Sequence, residues 1–165
     1  MSSHKINKNK MKQEFMRKAI ALSIENVEKN LGGPFGAVVV KDDKIIATGA
    51  NCVTSHNDPT AHAEVTAIRN ACKALDAFQL DDCEIYTSCE PCPMCLGAIY
   101  WARPKAVYYG NTKVDAAKIN FDDQFIYAEL DLPLNKRKLP MEQILPEEAI
   151  KAFELWQENL KKVEY

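Results

Sequence analysis

Two cysteines and a histidine constrain the fold of this chain more than any other feature. Cys92 and Cys95 stand two residues apart, where a strand-like run from Glu84 to Ser88 passes into a short helix over about Pro93 to Trp101. His62 lies upstream at the start of another helix, one that carries Val65, Ile68, Cys72 and Leu75 along one face. Side chains in a first helical turn tilt toward the helix N-terminus. Two such ends, brought together at one edge of a sheet, converge on a single point. The Cys-X-X-Cys gap lets two thiolates grip one zinc ion, and His62 adds an imidazole. Three protein ligands leave the fourth tetrahedral position to water, the mark of a catalytic site and not of a closed structural one. Free N–H groups and the positive helix ends would stabilise the thiolates. Residues at i and i+2 do not share a helical face, so His62 and Glu64 reach one site only from an irregular helix entrance. Asp58 and Thr60 are the capping candidates there, with Pro59 tolerated at the start.

Simpler readings compete. A Cys-X-X-Cys pair alone serves as a redox couple, but that leaves His62 and Glu64 without a role. A closed zinc site needs a fourth ligand, and Cys89, three residues before Cys92, is the candidate. Cys72 and Cys83 read as small buried hydrophobes.

The rest of the 165-residue chain supplies a scaffold of alternating elements. Met16, Ile20, Ile24, Val27 and Leu31 recur at helical spacing, which predicts an amphipathic helix over about 12–30, stopped at Gly32-Gly33-Pro34. Two strand-like runs, Ala37 to Val40 and Lys44 to Ala50, flank Asp42-Asp43 and predict a hairpin. Residues 51–60 read as a polar loop. Further on come a strand at Ala106 to Gly110, helical character near 124–130, a short strand near 139–145, and a last helix from Pro146. This order predicts a three-layer α/β/α domain with a mixed five-stranded sheet. Pro133 and Pro140 bracket an extended connection, and Ile150, Phe153, Trp156 and Leu160 form an apolar face that must be buried.

Composition and charge narrow the function. Hydrophobic residues make up 47% and charged residues 27%, as in an ordinary globular protein. The longest apolar run is too short to span a membrane, and residues 1–18 lack the apolar core of a secretory signal; a cytoplasmic protein is expected. Those 18 residues hold six Lys or Arg against Glu14 alone, so residues 19–165 hold 15 basic against 22 acidic side chains. Residues 1–10 are expected to be a flexible basic arm, ahead of one domain over 11–165. An acidic body lacks the footprint needed to grip a phosphate backbone, which favours a small-molecule substrate over nucleic acid.

His62-Ala63-Glu64 followed by Pro91-Cys92-Pro93-Met94-Cys95 is the pattern of zinc deaminases that act on nucleobases. From about Gly33 to Tyr109 the chain resembles the cytidine deaminase superfamily. Within it the chain is similar to bacterial guanine deaminases. The carrying segments are Gly33-Pro34-Phe35-Gly36-Ala37, Asn57-Asp58-Pro59-Thr60-Ala61-His62-Ala63-Glu64, Thr87-Ser88-Cys89-Glu90-Pro91-Cys92-Pro93-Met94-Cys95 and Phe121-Asp122-Asp123. The closing Lys162-Val163-Glu164-Tyr165 belongs with them, although Val163 interrupts the Lys-Lys-Glu-Tyr ending of the subfamily.

The resemblance implies a cytidine-deaminase-like fold, one Zn2+ per chain on His62, Cys92 and Cys95, and hydrolysis of guanine to xanthine and ammonia. It implies that Glu64 is the catalytic acid and base. Asn51 and Asp123 would read the purine edges, the Ala63 N–H would support the developing oxygen, Phe35 and Trp101 would enclose the ring, and Tyr165 would close the site. Without the resemblance, Phe35 and Trp101 read as core residues, Asn51 as a turn former and Asp123 as part of a solvated loop. Transfer RNA adenosine deaminases share Asp-Pro-Thr-Ala-His-Ala-Glu and are the rival. A non-catalytic interaction module would be marked by loss of Glu64 or a ligand, and neither is lost. The residues favour a C-terminal segment folded back on its own sheet. The resemblance instead implies a homodimer that exchanges residues 146–165 between subunits.

Overall fold

The computed structural model of this protein describes residues 3–121 and 123–165, with side chains described from residue 8 onward. It contains a larger compact unit that ends at Asp123 and a smaller one, Gln124–Tyr165.

The larger unit is built on a mixed sheet. Strands β1 (Gly36–Lys41) and β2 (Lys44–Ala50) form the expected antiparallel hairpin. Asp42 and Asp43 make its turn with φ of 49° and 58°, the left-handed pair that a two-residue hairpin requires and that short polar side chains tolerate. Strand β3 (Glu84–Cys89) pairs antiparallel with β1, and β4 (Ala106–Asn111) pairs parallel with β3. The order is β2-β1-β3-β4, so the described sheet has four strands and not five. The expected fifth, near 139–145, forms no ladder among the described residues. Pro140 has no N–H to give one, and β4 is left as the sheet edge.

Helix α1 (Ser3–Glu28) covers one face of the sheet, and α3 (Ala63–Leu75) and α4 (Pro93–Ala102) cover the other. Strand alternation assigns the side chains. Ala37, Val39 and Ile85 pack with Ala63, Ala67, Ala71 and Ile99, while Val38, Val40 and Tyr86 pack with Ala19, Phe15 and Leu22. These are the three layers the element order predicts. The polar stretch after β2 also holds a short helix α2, Val53–His56, where a loop is expected.

Helix α1 differs from expectation in two ways. It begins at Ser3 and not near residue 12, through polar residues where apolar periodicity carries no signal. It is also rolled relative to its aliphatic stripe. Ile20, Ile24, Val27 and Leu31 remain 39–53% exposed, and Phe15, Met16, Ala19, Leu22, Ser23 and Asn26 turn inward. The cause is close approach. A Cβ on Gly36 would lie 2.5 Å from the Ala19 carbonyl oxygen and 2.7 Å from the Ser23 nitrogen. Only the small-residue face of α1 fits so near the sheet.

The same device seats α3. A Cβ on Gly49 would lie 2.3 Å from the Ala63 carbonyl oxygen and 2.4 Å from the Ala67 nitrogen. Backbone of β2 and backbone of the first turns of α3 are therefore in direct contact.

The smaller unit contains α6 (Gln124–Leu130), a 3₁₀ turn at Leu134–Lys136 and α7 (Pro146–Glu158). Before it, α5 (Lys113–Ala117) closes the larger unit with a Thr112–Asp115 capping box. Arg137 donates to the carbonyls of Leu130 and Leu132, each at 3.1 Å, and the Lys138 N–H donates to Glu129 at 2.7 Å. The Pro133–Pro140 connection is thus folded onto the end of α6 and is not simply extended. Neither α6 nor α7 has a buried residue, and Ile150, Phe153 and Trp156 are all exposed.

Overpacking a contact of this kind costs about 1–3 kcal/mol. Gly49→Ala is therefore expected to lower the unfolding free energy by that amount, read as a lower urea midpoint at unchanged m, and to weaken zinc retention. A midpoint equal to wild type would mean that α3 is not held by this approach.

Candidate metal centre and active site

Both metal-binding segments occupy the same structural position. His62 is the N-cap residue of α3 and Cys92 the N-cap residue of α4, each with extended backbone, at φ −70°, ψ 159° and φ −67°, ψ 168°. The capping role expected of Asp58 and Thr60 is not what they perform. The Asp58 carboxylate accepts from the Thr60 N–H at 2.8 Å and from the Thr60 hydroxyl at 2.6 Å, closing a tight turn, and its other oxygen lies 3.4 Å from Arg69. This turn delivers the chain to His62, and the extended cap conformation frees the imidazole to point away from the helix. The irregular entrance that His62 and Glu64 require is present.

The ligand atoms converge. His62 Nδ1 lies 3.6 Å from Cys92 Sγ and 3.5 Å from Cys95 Sγ, and all three atoms lie within 4.8 Å of one another. Bond lengths of roughly 2.0–2.1 Å to nitrogen and 2.3 Å to sulfur at tetrahedral angles demand a nitrogen–sulfur edge of about 3.6 Å. The side chains present therefore fit one zinc, with Nδ1 as the histidine donor. Cys89 is not a fourth member. Its Sγ approaches the Thr112 carbonyl oxygen at 3.6 Å, and burial pushes its thiol up to about 11. The closed four-ligand site is excluded by this geometry. Cys83 is the buried thiol it was expected to be, whereas Cys72 is half-buried against the same core; burial raises both.

Local electrostatics follow from these contacts. Hydrogen bonds from the Cys95 thiol and from His62 hold the Cys92 thiol well below its ordinary range, and the Cys92 sulfur raises His62. The Cys95 N–H at the start of α4 also points at Cys92 Sγ, at 3.5 Å. Glu64 is only 5% exposed, and burial raises its carboxyl above the usual carboxylate range. One of its oxygens, Oε1, accepts from the Thr87 hydroxyl at 2.9 Å. The Glu90 carboxylate after Cys89 accepts from the Lys113 N–H at 3.0 Å, tying the cysteine loop to α5.

Other expected residues divide. Asn51 is buried, and its Oδ1 accepts from the N–H groups of Gly33, at 3.2 Å, and Val53, at 3.4 Å. Those bonds engage the amide oxygen, which leaves the NH2 group as the donor of this side chain. Asn26 holds Asn51 in place by donating to its carbonyl and to that of Gly33, each at 2.8 Å. Ala63 is fully buried at the first position of α3, where its N–H has no intrahelical partner. Asp123 is half-buried and near enough to raise His62 and Cys89 electrostatically; Asp122 lies outside the described residues. Phe35 is half-buried against the core and meets Phe121 edge-to-face at 5.0 Å. Trp101 is 64% exposed on α4 and is not the core residue its apolar surroundings suggest. Tyr165 belongs to the smaller unit and is exposed.

Sequence reasoning missed Asn26 and Thr87. Asn26 interrupts a helical pattern without any motif. Thr87 is a polar residue on the inward side of a buried strand, two positions before Cys89, which was a readable signal.

A family described as the cytidine and deoxycytidylate deaminase zinc-binding region matches residues 9–111. The chain belongs to that family. It is 58% identical over 153 residues to a guanine deaminase from Bacillus subtilis, covering 93% of this chain and 98% of the relative. The crystal structure of that protein superposes with a TM-score of 0.90 over the same 93% and 98%. The chain is also 33% identical to a tRNA-specific adenosine deaminase from Aquifex aeolicus, over 92% of this chain and 95% of the relative. A guanine deaminase structure from Nitrosomonas europaea matches at 34% identity and TM-score 0.63, covering 66% of this chain and 61% of that one. The zinc-binding deaminase fold is thus established, and among the described residues no helix is long and apolar enough to cross a membrane.

Metal analysis of the purified protein is expected to return one zinc per chain. Cys89→Ser should leave that stoichiometry intact and Cys92→Ser should abolish it. Zinc lost in both variants would return Cys89 to the ligand set.

Proposed function

We infer that this protein is a cytoplasmic guanine deaminase, converting guanine and water into xanthine and ammonia in purine catabolism or salvage. The observation that carries this reading is the 58% identity over nearly the whole length of both chains to a guanine deaminase, joined to a three-ligand metal centre with a buried glutamate beside it.

His62, Cys92 and Cys95 hold the zinc, which when bound supplies the Lewis acidity that makes water a nucleophile at neutral pH. This chain's own groups do the rest. Glu64, whose carboxyl is raised by burial, takes a proton from the attacking water and returns protons to the ring nitrogen and the leaving amine. Its burial keeps the exchange from solvent. The Ala63 N–H supports the oxygen that develops on the ring carbon. The NH2 of Asn51 donates to an acceptor on one purine edge, and the Asp123 carboxylate accepts from the N–H and amino groups of the other. Phe35 and Trp101 supply aromatic surface for the ring, and Tyr165 closes the site with its phenol and carboxylate.

The rival substrate is adenosine in transfer RNA, favoured by the Aquifex relative. Residues 19–165 carry 15 basic against 22 acidic side chains, a poor match to a polyanion. The active form is a homodimer whose C-terminal segment completes the partner's site. Its support is the exposed apolar surface of α7, at Ile150, Phe153 and Trp156, which a second copy would bury at low cost through exchange.

Glu64→Gln should keep its zinc and lose at least ~10²-fold in rate on guanine, the low end for general acid–base catalysis. A variant within tenfold of wild type would mean the proton travels elsewhere. Robust turnover of transfer RNA with none of guanine would transfer the assignment to the rival.

Asp123→Ala and a chain lacking residues 161–165 should each be crippled with zinc in place, a carboxylate–substrate pair that becomes enclosed on binding being worth about 2–4 kcal/mol. Co-refolding the two should restore activity if each site borrows its tail from the neighbour. No recovery, or a monomer by sedimentation at micromolar concentration, would refute the exchange.

A further inference from the structure

The inward face of β3 carries Ile85, Thr87 and Cys89, since alternate strand residues share a face. Thr87 is fully buried there, opposite Ala37 on β1 and Tyr109 on β4. A hydroxyl so placed needs a partner, and it has one, Glu64 Oε1 at 2.9 Å. The two residues differ in stiffness. Strand β3 is hydrogen-bonded on both sides, and a β-branched threonine has few χ1 states. Glu64 is a three-torsion side chain in the first turn of a helix. The stiff partner anchors the flexible one.

We propose that Thr87 is a positioning residue for the deamination: its hydroxyl pins one oxygen of Glu64 to the sheet and leaves the other aimed at the reacting water. This rests on the reading of Glu64 as the proton carrier given above. A positioning role of this kind affects the proton-transfer step and not the binding of purine or metal.

The test uses the zinc-loaded full chain with guanine. Thr87→Val replaces the hydroxyl by a methyl group of nearly equal size. Loss of such an outer partner costs about 10–100-fold, expected here in kcat, with KM and zinc per chain at wild-type values. Thr87→Ser, which keeps the hydroxyl, should recover most of the rate. In a Glu64→Gln background Thr87→Val should add nothing, because it acts through the group already removed. A crystal structure of zinc-loaded Thr87→Val should show the Glu64 carboxylate rotated from its wild-type position.

Should Thr87→Val lose zinc, Thr87→Ala compared with Thr87→Ser gives the same contrast. Thr87→Val with wild-type kcat beside an inactive Glu64→Gln overturns the role of Thr87 alone. A further loss from Thr87→Val in the Glu64→Gln background also overturns it, by showing an effect on another step. An active Glu64→Gln overturns instead the reading of Glu64.

Discussion

At Gly49 the backbone of α3 comes so near β2 that an added Cβ would lie 2.3 Å from the Ala63 carbonyl oxygen, and the places of His62, Ala63 and Glu64 follow from that contact. Ala63, Ala67 and Ala71, one turn apart on the inward side of the helix, let it lie this close. With α3 fixed on the hairpin, its N-terminus faces the end of β3 from which Cys92 and Cys95 emerge. The metal centre is where two helix entrances meet over one sheet edge. Its 3.5–3.6 Å nitrogen–sulfur separations depend on backbone packing several residues away from the ligands themselves.

Electrostatics then divide the labour within a small volume. At the open end of α4, an N–H of the first turn and the neighbouring imidazole favour a thiolate at Cys92. Two residues beyond His62, burial works in the opposite direction on Glu64, favouring its protonated form. A metal ligand wants stable negative charge, whereas a proton carrier wants a carboxyl whose two states lie close in energy near neutral pH. Burial separates these two needs at atoms held close together, and hydrogen bonds from Thr87 to Glu64 and from Asn26 to the backbone at Gly33 and Asn51 tie the neighbouring groups to the scaffold.

The chain also leaves apolar surface uncovered. The Ile20, Ile24, Val27, Leu31 stripe of α1 and the Ile150, Phe153, Trp156 face of α7 are both exposed. In α1 the explanation is local, because the roll that exposes the stripe is the roll that fits Ala19 and Ser23 against Gly36. Maximum apolar burial lost to a shorter helix-to-sheet distance. In α7 no comparable local reason exists within the smaller unit, where no residue of that helix is buried.

Local chemistry and period were enough for much of this protein. The Asp42-Asp43 turn, the alternation of β1 and β3, the helix opening at Pro93, and the grouping of His62 with Cys92 and Cys95 were all legible in the residues, because each depends on near neighbours or on ligand spacing. Three matters were decided only by tertiary structure. Which face of α1 turns inward depended on how near a helix can approach a glycine in a strand, a distance that periodicity does not encode. Whether 139–145 forms a strand depended on a ladder partner as well as on apolar alternation, and Pro140 weakened its claim to one. The exclusion of Cys89, three residues from a true ligand candidate, came from strand geometry: as the last residue of β3 it is turned toward the Thr112 carbonyl, while the chain had still to pass Pro91 before reaching the helix entrance where sulfur can meet His62.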